Sequence, residues 1–245
     1  MALSEASSRP RSLWCEPERT SPAERPALDF RDVFKIYRSG PVETVALRGL
    51  DLRIERGELI AVLGPSGCGK STMLALAAAL DEPSAGEVRA GAHTLGRLDE
   101  LELARYRARE VALVFQSDNL WPALSAQENV VVGLRLAGRS DPVTAADAAL
   151  DRFGLADRGR HRVGALSGGE QQRVAIAAAF AREAPLVLAD EPTGELDARN
   201  ERRVLDALRQ LNHETGSTIV IVTHSSPVAA AADRVVEIRD GRVLA

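Results

Sequence analysis

Lysine is almost missing from this chain. Of its 31 basic residues only Lys35 and Lys70 are lysine, so arginine carries nearly all the positive charge. Cysteine is equally scarce: Cys15 and Cys68 are too few and too far apart for a disulfide framework or for paired metal-ligand spacing. No apolar run approaches the roughly 18–20 residues that span a bilayer, and no apolar stretch of signal-peptide length opens the chain. The expectation is a cytosolic chain whose membrane role, if it has one, comes through a partner. A basic excess is missing too: 31 Lys and Arg stand against 35 Asp and Glu, a net charge of −4 with both signs interspersed. That balance offers no basic field for nucleic acid, and no nucleic-acid partner is expected.

What is present is enough for one large domain, or for a core with a smaller subdomain. The chain has 245 residues, 45% of them hydrophobic and 27% charged. Its most informative stretch is Gly64-Pro65-Ser66-Gly67-Cys68-Gly69-Lys70-Ser71-Thr72. An apolar run at 59–63 leads into it, and a small-residue run at 73–80 leaves it with helical character. Strand, glycine loop and helix at this spacing fit the phosphate-binding pattern G-x-x-x-x-G-K-S. The glycines let successive backbone N–H groups point inward around phosphate oxygens, and the N-terminus of the following helix adds partial positive charge. Lys70 would reach the β and γ phosphates, and the Ser71 hydroxyl would ligate Mg²⁺. A chain that uses arginine almost everywhere spends one of its two lysines here, where a compact point charge fits between phosphates and a planar fork does not. Cys68 reads as a small filler of the loop.

Residues 1–26, rich in Ser, Pro, Arg and Glu, read as a disordered tail. Trp14 and Cys15 interrupt that composition and allow a docking spot as an alternative. From Ala27 the alternation of Leu28, Phe30, Val33, Ile36 and Tyr37, the turn Arg38-Ser39-Gly40-Pro41, and a further strand-like run ending at Leu50, Leu52 and Ile54 predict an antiparallel sheet. A charged helix is expected over 98–110, and a strand over 111–115 that delivers Gln116. A mostly helical insertion follows from 117 to about 180. Within it Ser125-Ala126-Gln127-Glu128 is a capping box, and Asp141-Pro142 is a second helix start. Ser167, Gly168 and Gly169 open a helix and so form a second anion site. A buried-type strand at 186–189 ends in Asp190-Glu191, Asp197 caps the next helix, and a strand at 218–222 ends at Thr223-His224. A hairpin over 235–244 closes the chain. Strands alternating with helices argue an α/β core with a mostly parallel sheet, whose ligand site sits beyond the carboxyl ends of the strands. The glycine loop, Gln116, Asp190-Glu191 and His224 all follow expected strand ends.

The glycine loop, then Leu166-Ser167-Gly168-Gly169-Glu170-Gln171-Gln172-Arg173, then Leu188-Ala189-Asp190-Glu191-Pro192, then Thr223-His224, resemble the ATP-binding subunit of an ABC transporter from Ala27 to the C-terminus. Within that family the Gln116-Ser117-Asp118-Asn119-Leu120 stretch and its partners are most similar to the macrolide-export and lipoprotein-release type. The resemblance implies an ATP-hydrolysing P-loop fold with an N-terminal antiparallel β-subdomain and an inserted helical subdomain. It implies Mg²⁺ held by Ser71, Gln116 and Asp190. Glu191 would be the general base, with His224, Gln116 and Lys70 completing the catalytic set, and Tyr37 would stack on adenine. It further implies that Ser167, Gly168, Gly169 and Glu170 complete the site of an opposite protomer in a head-to-tail dimer. Asp197 would connect the two sites. The partners would be a second ATP-binding protomer and separate transmembrane permease subunits, which would hold the chain on the inner face of the membrane. A relative in cell division raises a second implied function, mechanical work on an extracytoplasmic partner without transport.

Two features stand outside this scheme. Ser225 sits where many members carry Asp after the histidine. Trp121 and Leu124 allow either an anchor on the membrane partner or packing within the insertion.

Overall fold

The protein is described by a computed structural model that covers residues 25–40 and 42–244. Trp14, Cys15 and nearly all of the expected tail lie outside the described residues, as does Pro41. The strand-like alternation after Ala27 gives two long strands, β1 (Leu28–Ser39) and β2 (Val42–Ile54), paired antiparallel. Their buried positions include Leu28, Phe30, Val33, Leu50, Leu52 and Ile54. β3 (Leu59–Leu63) then runs into the glycine loop and helix α1 (Lys70–Ala77). The helix stops short of the run expected over 73–80. Ala79 takes a left-handed φ of 53°, and the Leu80 N–H turns back to the Ala75 carbonyl at 2.9 Å, which closes the last turn. β4 (Ala85–Ala90) and β5 (His93–Thr94) complete a four-stranded antiparallel sheet in the order β2-β1-β4-β5.

α2 (Glu100–Arg109) leads to β6 (Val111–Val114), and α3 (Ala126–Leu136), α4 (Pro142–Arg152) and α5 (Gly168–Arg182) follow. The chain then alternates through β7 (Leu186–Asp190), α6 (Ala198–Thr215), β8 (Thr218–Thr223), α7 (Ser226–Ala230), β9 (Arg234–Arg239) and β10 (Arg242–Val243). The second sheet has the order β10-β9-β3-β8-β7-β6 and is parallel except for β10. Its strands β3, β7 and β8 are apolar on both faces because both faces are covered. Ile60 and Val62, Leu186 and Leu188, and Val220 and Val222 pack toward α1 and the antiparallel sheet. Leu59, Val187 and Ala189, and Ile219 and Ile221 pack toward the layer of α3 to α6. Each of these strands thus divides its side chains between two cores, and its carboxyl end emerges on the same edge of the sheet as those of its parallel neighbours.

The helix starts follow their capping chemistry. Ser125 and Glu128 close the expected box at α3, and Asp141 accepts from the Thr144 N–H with Pro142 in the first turn of α4. Asp197 accepts from the Asn200 N–H at the head of α6. One further local expectation is corrected. The helix expected over 98–110 begins at Glu100, because Asp99 and Glu102 form an unforeseen capping box that holds Leu98 and Asp99 extended. The closing hairpin forms as expected between β9 and β10, and β9 also joins the parallel sheet beside β3, from Ile60 opposite Arg234 to Leu63 opposite Glu237. Five residues between β8 and β9 form α7, too short to show a helical period. Helix α5, at the C-terminal end of the expected insertion, packs on α3 and α4 and also on α6 and β6.

Candidate functional site

Parallel strands bring their C-terminal ends to one edge. Here β3, β6, β7 and β8 bring the glycine loop, Gln116, Asp190 with Glu191, and His224 to that edge. These residues line one cleft of about 480 Å³, joined by Ala46 of β2. Two glycines of the loop have no substitute. A Cβ at Gly64 would lie 2.2 Å from the Ile238 carbonyl oxygen and 2.6 Å from Cys68 Sγ. Gly69, the N-cap of α1, has φ 104°, and a Cβ there would meet the Ala46 carbonyl oxygen at 2.5 Å. The loop is therefore pressed against β2 and β9, with the first-turn residues Lys70, Ser71 and Thr72 of α1 in the cleft wall. First-turn N–H groups have no intrahelical acceptor, so the wall is a donor surface suited to an anion. Lys70 is buried, and its Nζ donates to the Gly64 carbonyl at 2.7 Å and the Pro65 carbonyl at 3.1 Å. Buried Cys68 does not line the cleft and fills space beneath Gly64.

Across from this donor wall stand two carboxylates. Burial pushes the Asp190 carboxyl above its ordinary range, and the charge of Glu191 adds to the effect, while the Ser71 hydroxyl and the Lys70 ammonium pull it back. Glu191 itself sits at a left-handed φ of 46°, a conformation a non-glycine residue adopts only when its surroundings hold it. Its N–H donates to the Val222 carbonyl at 3.0 Å. The Thr223 hydroxyl donates to Oε2 at 3.1 Å, and His224 Nδ1 lies 2.9 Å from Oε1. A carboxylate can only accept, so Nδ1 of His224 carries the proton in this contact. Gln116 reaches the cleft from the end of β6 and donates from Nε2 to Glu195 Oε1 at 3.3 Å.

The donor set fits a nucleoside triphosphate with a divalent cation. A buried ammonium satisfied by loop carbonyls and a helix N-terminus fit phosphate oxygens. Among the described residues no group of three or more His, Cys, Asp or Glu could hold a metal ion. Ser71 and Asp190 instead form a pair of hard oxygen donors. That suits Mg²⁺, which commonly binds through one or two protein oxygens with phosphate and water completing its shell.

Comparison with known proteins agrees with this geometry. The family model described as "ABC transporter" matches residues 47–194. The chain is 44% identical to the lipoprotein-releasing system ATP-binding protein LolD of Geobacter metallireducens, over 89% of this chain and 98% of that protein. The chain belongs to the ABC transporter family. It is also 43% identical to the macrolide export ATP-binding/permease protein MacB 2 of Aeromonas hydrophila, over 89% of this chain but 34% of that protein. The chain thus spans about a third of the MacB relatives and nearly all of the LolD relative. Among solved structures, the dimeric post-hydrolysis state of the ATP-binding cassette MJ0796 bound to ADP and Pi superposes with a TM-score of 0.82 at 38% identity. That match covers 89% of this chain and 97% of that one.

In this ABC chain Ser167, Gly168, Gly169, Glu170 and Asp197 do not line the cleft. They form a second cluster at the heads of α5 and α6. Gly169 packs so closely on α6 that a Cβ would lie 2.9 Å from the Asn200 side chain. The Glu170 carboxylate turns back on its own helix end, accepting from the Ser167 N–H at 2.8 Å and from Arg158 Nε at 2.9 Å. The backbone N–H of Ser167 is the main cause that holds this carboxyl below its ordinary range. Burial opposes it, and the Ser167 hydroxyl and Arg158 assist. A depressed folded value means that the stabilisation is complete above the unfolded value and is lost as pH falls through the folded one. Glu170→Gln should therefore lower Tm by about 3 °C at pH 7, with the gap to wild type closing as pH falls below about 4, measured in paired thermal melts.

Tyr37 lies outside the cleft lining. Its ring is 42% exposed, its hydroxyl donates to Asp81 Oδ2 at 2.9 Å, and Lys35 Nζ stands 5.0 Å from the ring centroid. Trp121 is 64% exposed, which excludes packing inside the helical layer, while Leu124 is half-buried.

Residues beyond the motif chemistry also serve this site. Gln172 on α5 is buried and donates from Nε2 to the Phe115 carbonyl at 2.7 Å and to the Gln116 carbonyl at 2.6 Å. Its Oε1 accepts from Asn119 Nδ2 at 3.0 Å. The backbone that carries Gln116 is thereby tied to α5. The signal was in the sequence: Gln172 falls on one stripe with Ala175, Ile176 and Ala179, a polar residue on an apolar face. Gln172→Leu would keep the Phe115 carbonyl on Asn119 Nδ2 at 2.7 Å but leave the Gln116 carbonyl without its donor. It should cost about 2 kcal/mol, read as a Tm lowered by roughly 4–8 °C.

Proposed function

We propose that this chain hydrolyses Mg·ATP as the ATP-binding subunit of a transporter, in a head-to-tail dimer that drives separate membrane-embedded permease subunits. The observation that carries the reading is the juxtaposition, in one cleft, of the Lys70 donor wall, the Ser71–Asp190 oxygen pair, and a Glu191 carboxylate held on both oxygens. Lys70 and the α1 amides bind and orient the triphosphate. Ser71 and Asp190 hold the cation, with Gln116 at the cleft edge beside them. Bound Mg²⁺ supplies charge neutralisation at the phosphate oxygens. Glu191 orients the attacking water and takes its proton, and His224, on the rim, contacts the γ phosphate. Phosphoryl transfer needs little beyond such positioning and charge.

The second cluster, with the Ser167 helix end and Gly169 remote from this cleft, supports a dimer in which that helix end faces the nucleotide of the opposite protomer. Tyr37, half-exposed near the strand turn, is available to adenine. Among the described residues no helix is long and apolar enough to cross a membrane. The LolD relative, matched over almost its full length and named as an ATP-binding protein, supports the same reading. The reading puts the chain on the inner face of the membrane through that partner.

The test is affinity purification of the Glu191→Gln chain with ATP from detergent-solubilised membranes. A polytopic membrane protein recovered with ATP and lost without it is the expected result. A soluble dimer that retains no membrane protein would overturn the transport reading. A partner whose working part is an extracytoplasmic domain with no substrate path would replace transport by mechanical work.

A further inference from the structure

The site rests on a turn, and the turn rests on a contact that the family motif does not predict. Ser225 Oγ donates to Glu201 Oε1 at 2.8 Å, and both residues are half-buried. Ser225 also works inward: its N–H donates to Thr223 Oγ1 at 3.0 Å, and that hydroxyl donates to Glu191 Oε2 at 3.1 Å. With the backbone N–H occupying an acceptor position of the Thr223 oxygen, the hydroxyl proton is directed to the carboxylate. His224, between them, holds the other carboxylate oxygen at 2.9 Å.

We propose that Glu201 and Ser225 form a positioning pair, with α6 as the rigid anchor that fixes the Thr223–His224 turn against Glu191. This rests on the hydrolytic reading above. Glu201 lies in the first turn of α6, whose start is fixed by the Asp197 cap at 2.8 Å from the Asn200 N–H and whose body is buried through Val204, Leu208 and Leu211. The turn has no comparable support of its own, because α7 is only five residues long and begins at Ser226 without a side-chain cap. The identity of residue 225 is matched to Glu201. A hydroxyl donates where the carboxylate can only accept, whereas Asp at 225 would set a second carboxylate against the first. This gives Ser225 a physical reason to stand where many family members carry Asp. Neither residue lines the cleft, so both act through Thr223, His224 and Glu191.

The test uses the full chain with Ser225→Ala, Glu201→Ala, the double variant and Ser225→Thr. Each alanine variant should lower kcat for ATP about tenfold and leave KM within about twofold, since ground-state binding is left intact while the carboxylate loses its register. The double variant should be no worse than either single one, and Ser225→Thr should return kcat to within about twofold of wild type. A second readout needs no nucleotide. The ¹⁵N imidazole resonances of His224 should shift in both alanine variants and return in Ser225→Thr.

Ser225→Ala with wild-type kcat and unmoved His224 resonances would overturn the pair, as would losses that multiply in the double variant. Wild-type protein that hydrolyses no ATP would overturn the hydrolytic reading instead, and the His224 resonances would still decide whether the pair holds the turn.

Discussion

Glu191→Gln should bind ATP with at least wild-type affinity and hydrolyse it about a thousandfold more slowly. Glutamine keeps the length and shape of the side chain. Its Oε1 can still accept from Thr223 or from His224 Nδ1, so the left-handed backbone at φ 46° keeps most of its support. What the amide cannot do is take a proton from water. Losing the charge also removes the repulsion between Glu191 and the Asp190 carboxyl. With one negative charge fewer in the cleft the triphosphate is repelled less, so affinity is held or raised while turnover collapses. With the exit from the ATP state blocked, the variant should elute at twice the chain mass with Mg·ATP and at the chain mass without it. Single-turnover hydrolysis and size-exclusion chromatography with light scattering check the two halves. A variant that hydrolyses at the wild-type rate would place the base elsewhere, and Asp190 would be the next group to change.

The features that could be read in advance were those fixed by local chemistry. The glycine loop announces itself because its backbone cannot be built otherwise: Gly64 meets the Ile238 carbonyl and Gly69 needs φ 104°, so only glycine serves at either position. Helix starts at Ser125, Asp141 and Asp197 were legible because a cap and its acceptor N–H lie within three residues. Buried parallel strands were legible as short apolar runs. From those elements the convergence of Gln116, Asp190, Glu191 and His224 follows, since every parallel strand ends at one edge.

What escaped depends on partners far along the chain. β9 reads as half of a hairpin with β10, and its place beside β3 is set by strand pairing across about 170 residues of sequence, which no local pattern carries. Tyr37 reads as an aromatic on a strand. Its orientation is set by Asp81, whose carboxyl is opposed by burial but is held below its ordinary range by Lys35, the Glu82 N–H and the Tyr37 hydroxyl. Gln172 stands out as polar on an apolar stripe, but its partners Phe115 and Gln116 appear only in the fold, and Ser225, a polar residue of ordinary type, takes its meaning only from Glu201 beside it. Helix α2 starts two residues later than its charge pattern predicts, because Asp99 and Glu102 form a capping box.

Lys70→Ala should lower ATP affinity by about a hundredfold or more and leave the empty protein at least as stable as wild type. The two effects have one origin. Lys70 is 9% exposed, and its ammonium is satisfied by the Gly64 and Pro65 carbonyls. Two carbonyls and the charge of Asp190 repay the desolvation of a buried ammonium less fully than a phosphate would. The lysine is thus poorly placed in the empty fold and well placed once an anion enters, where two charge-assisted contacts together are worth roughly 3 kcal/mol. Lys70→Arg should not restore binding. Its guanidinium is a planar fork that cannot sit under the Gly64 and Pro65 carbonyls as a compact ammonium does. Titration with a fluorescent ATP analogue and a thermal melt of the nucleotide-free protein separate the two effects. If Lys70→Ala kept its affinity and lost Tm instead, Lys70 would be a brace of the loop rather than its phosphate contact, and the phosphate charge would have to be met by the α1 amides and the cation alone.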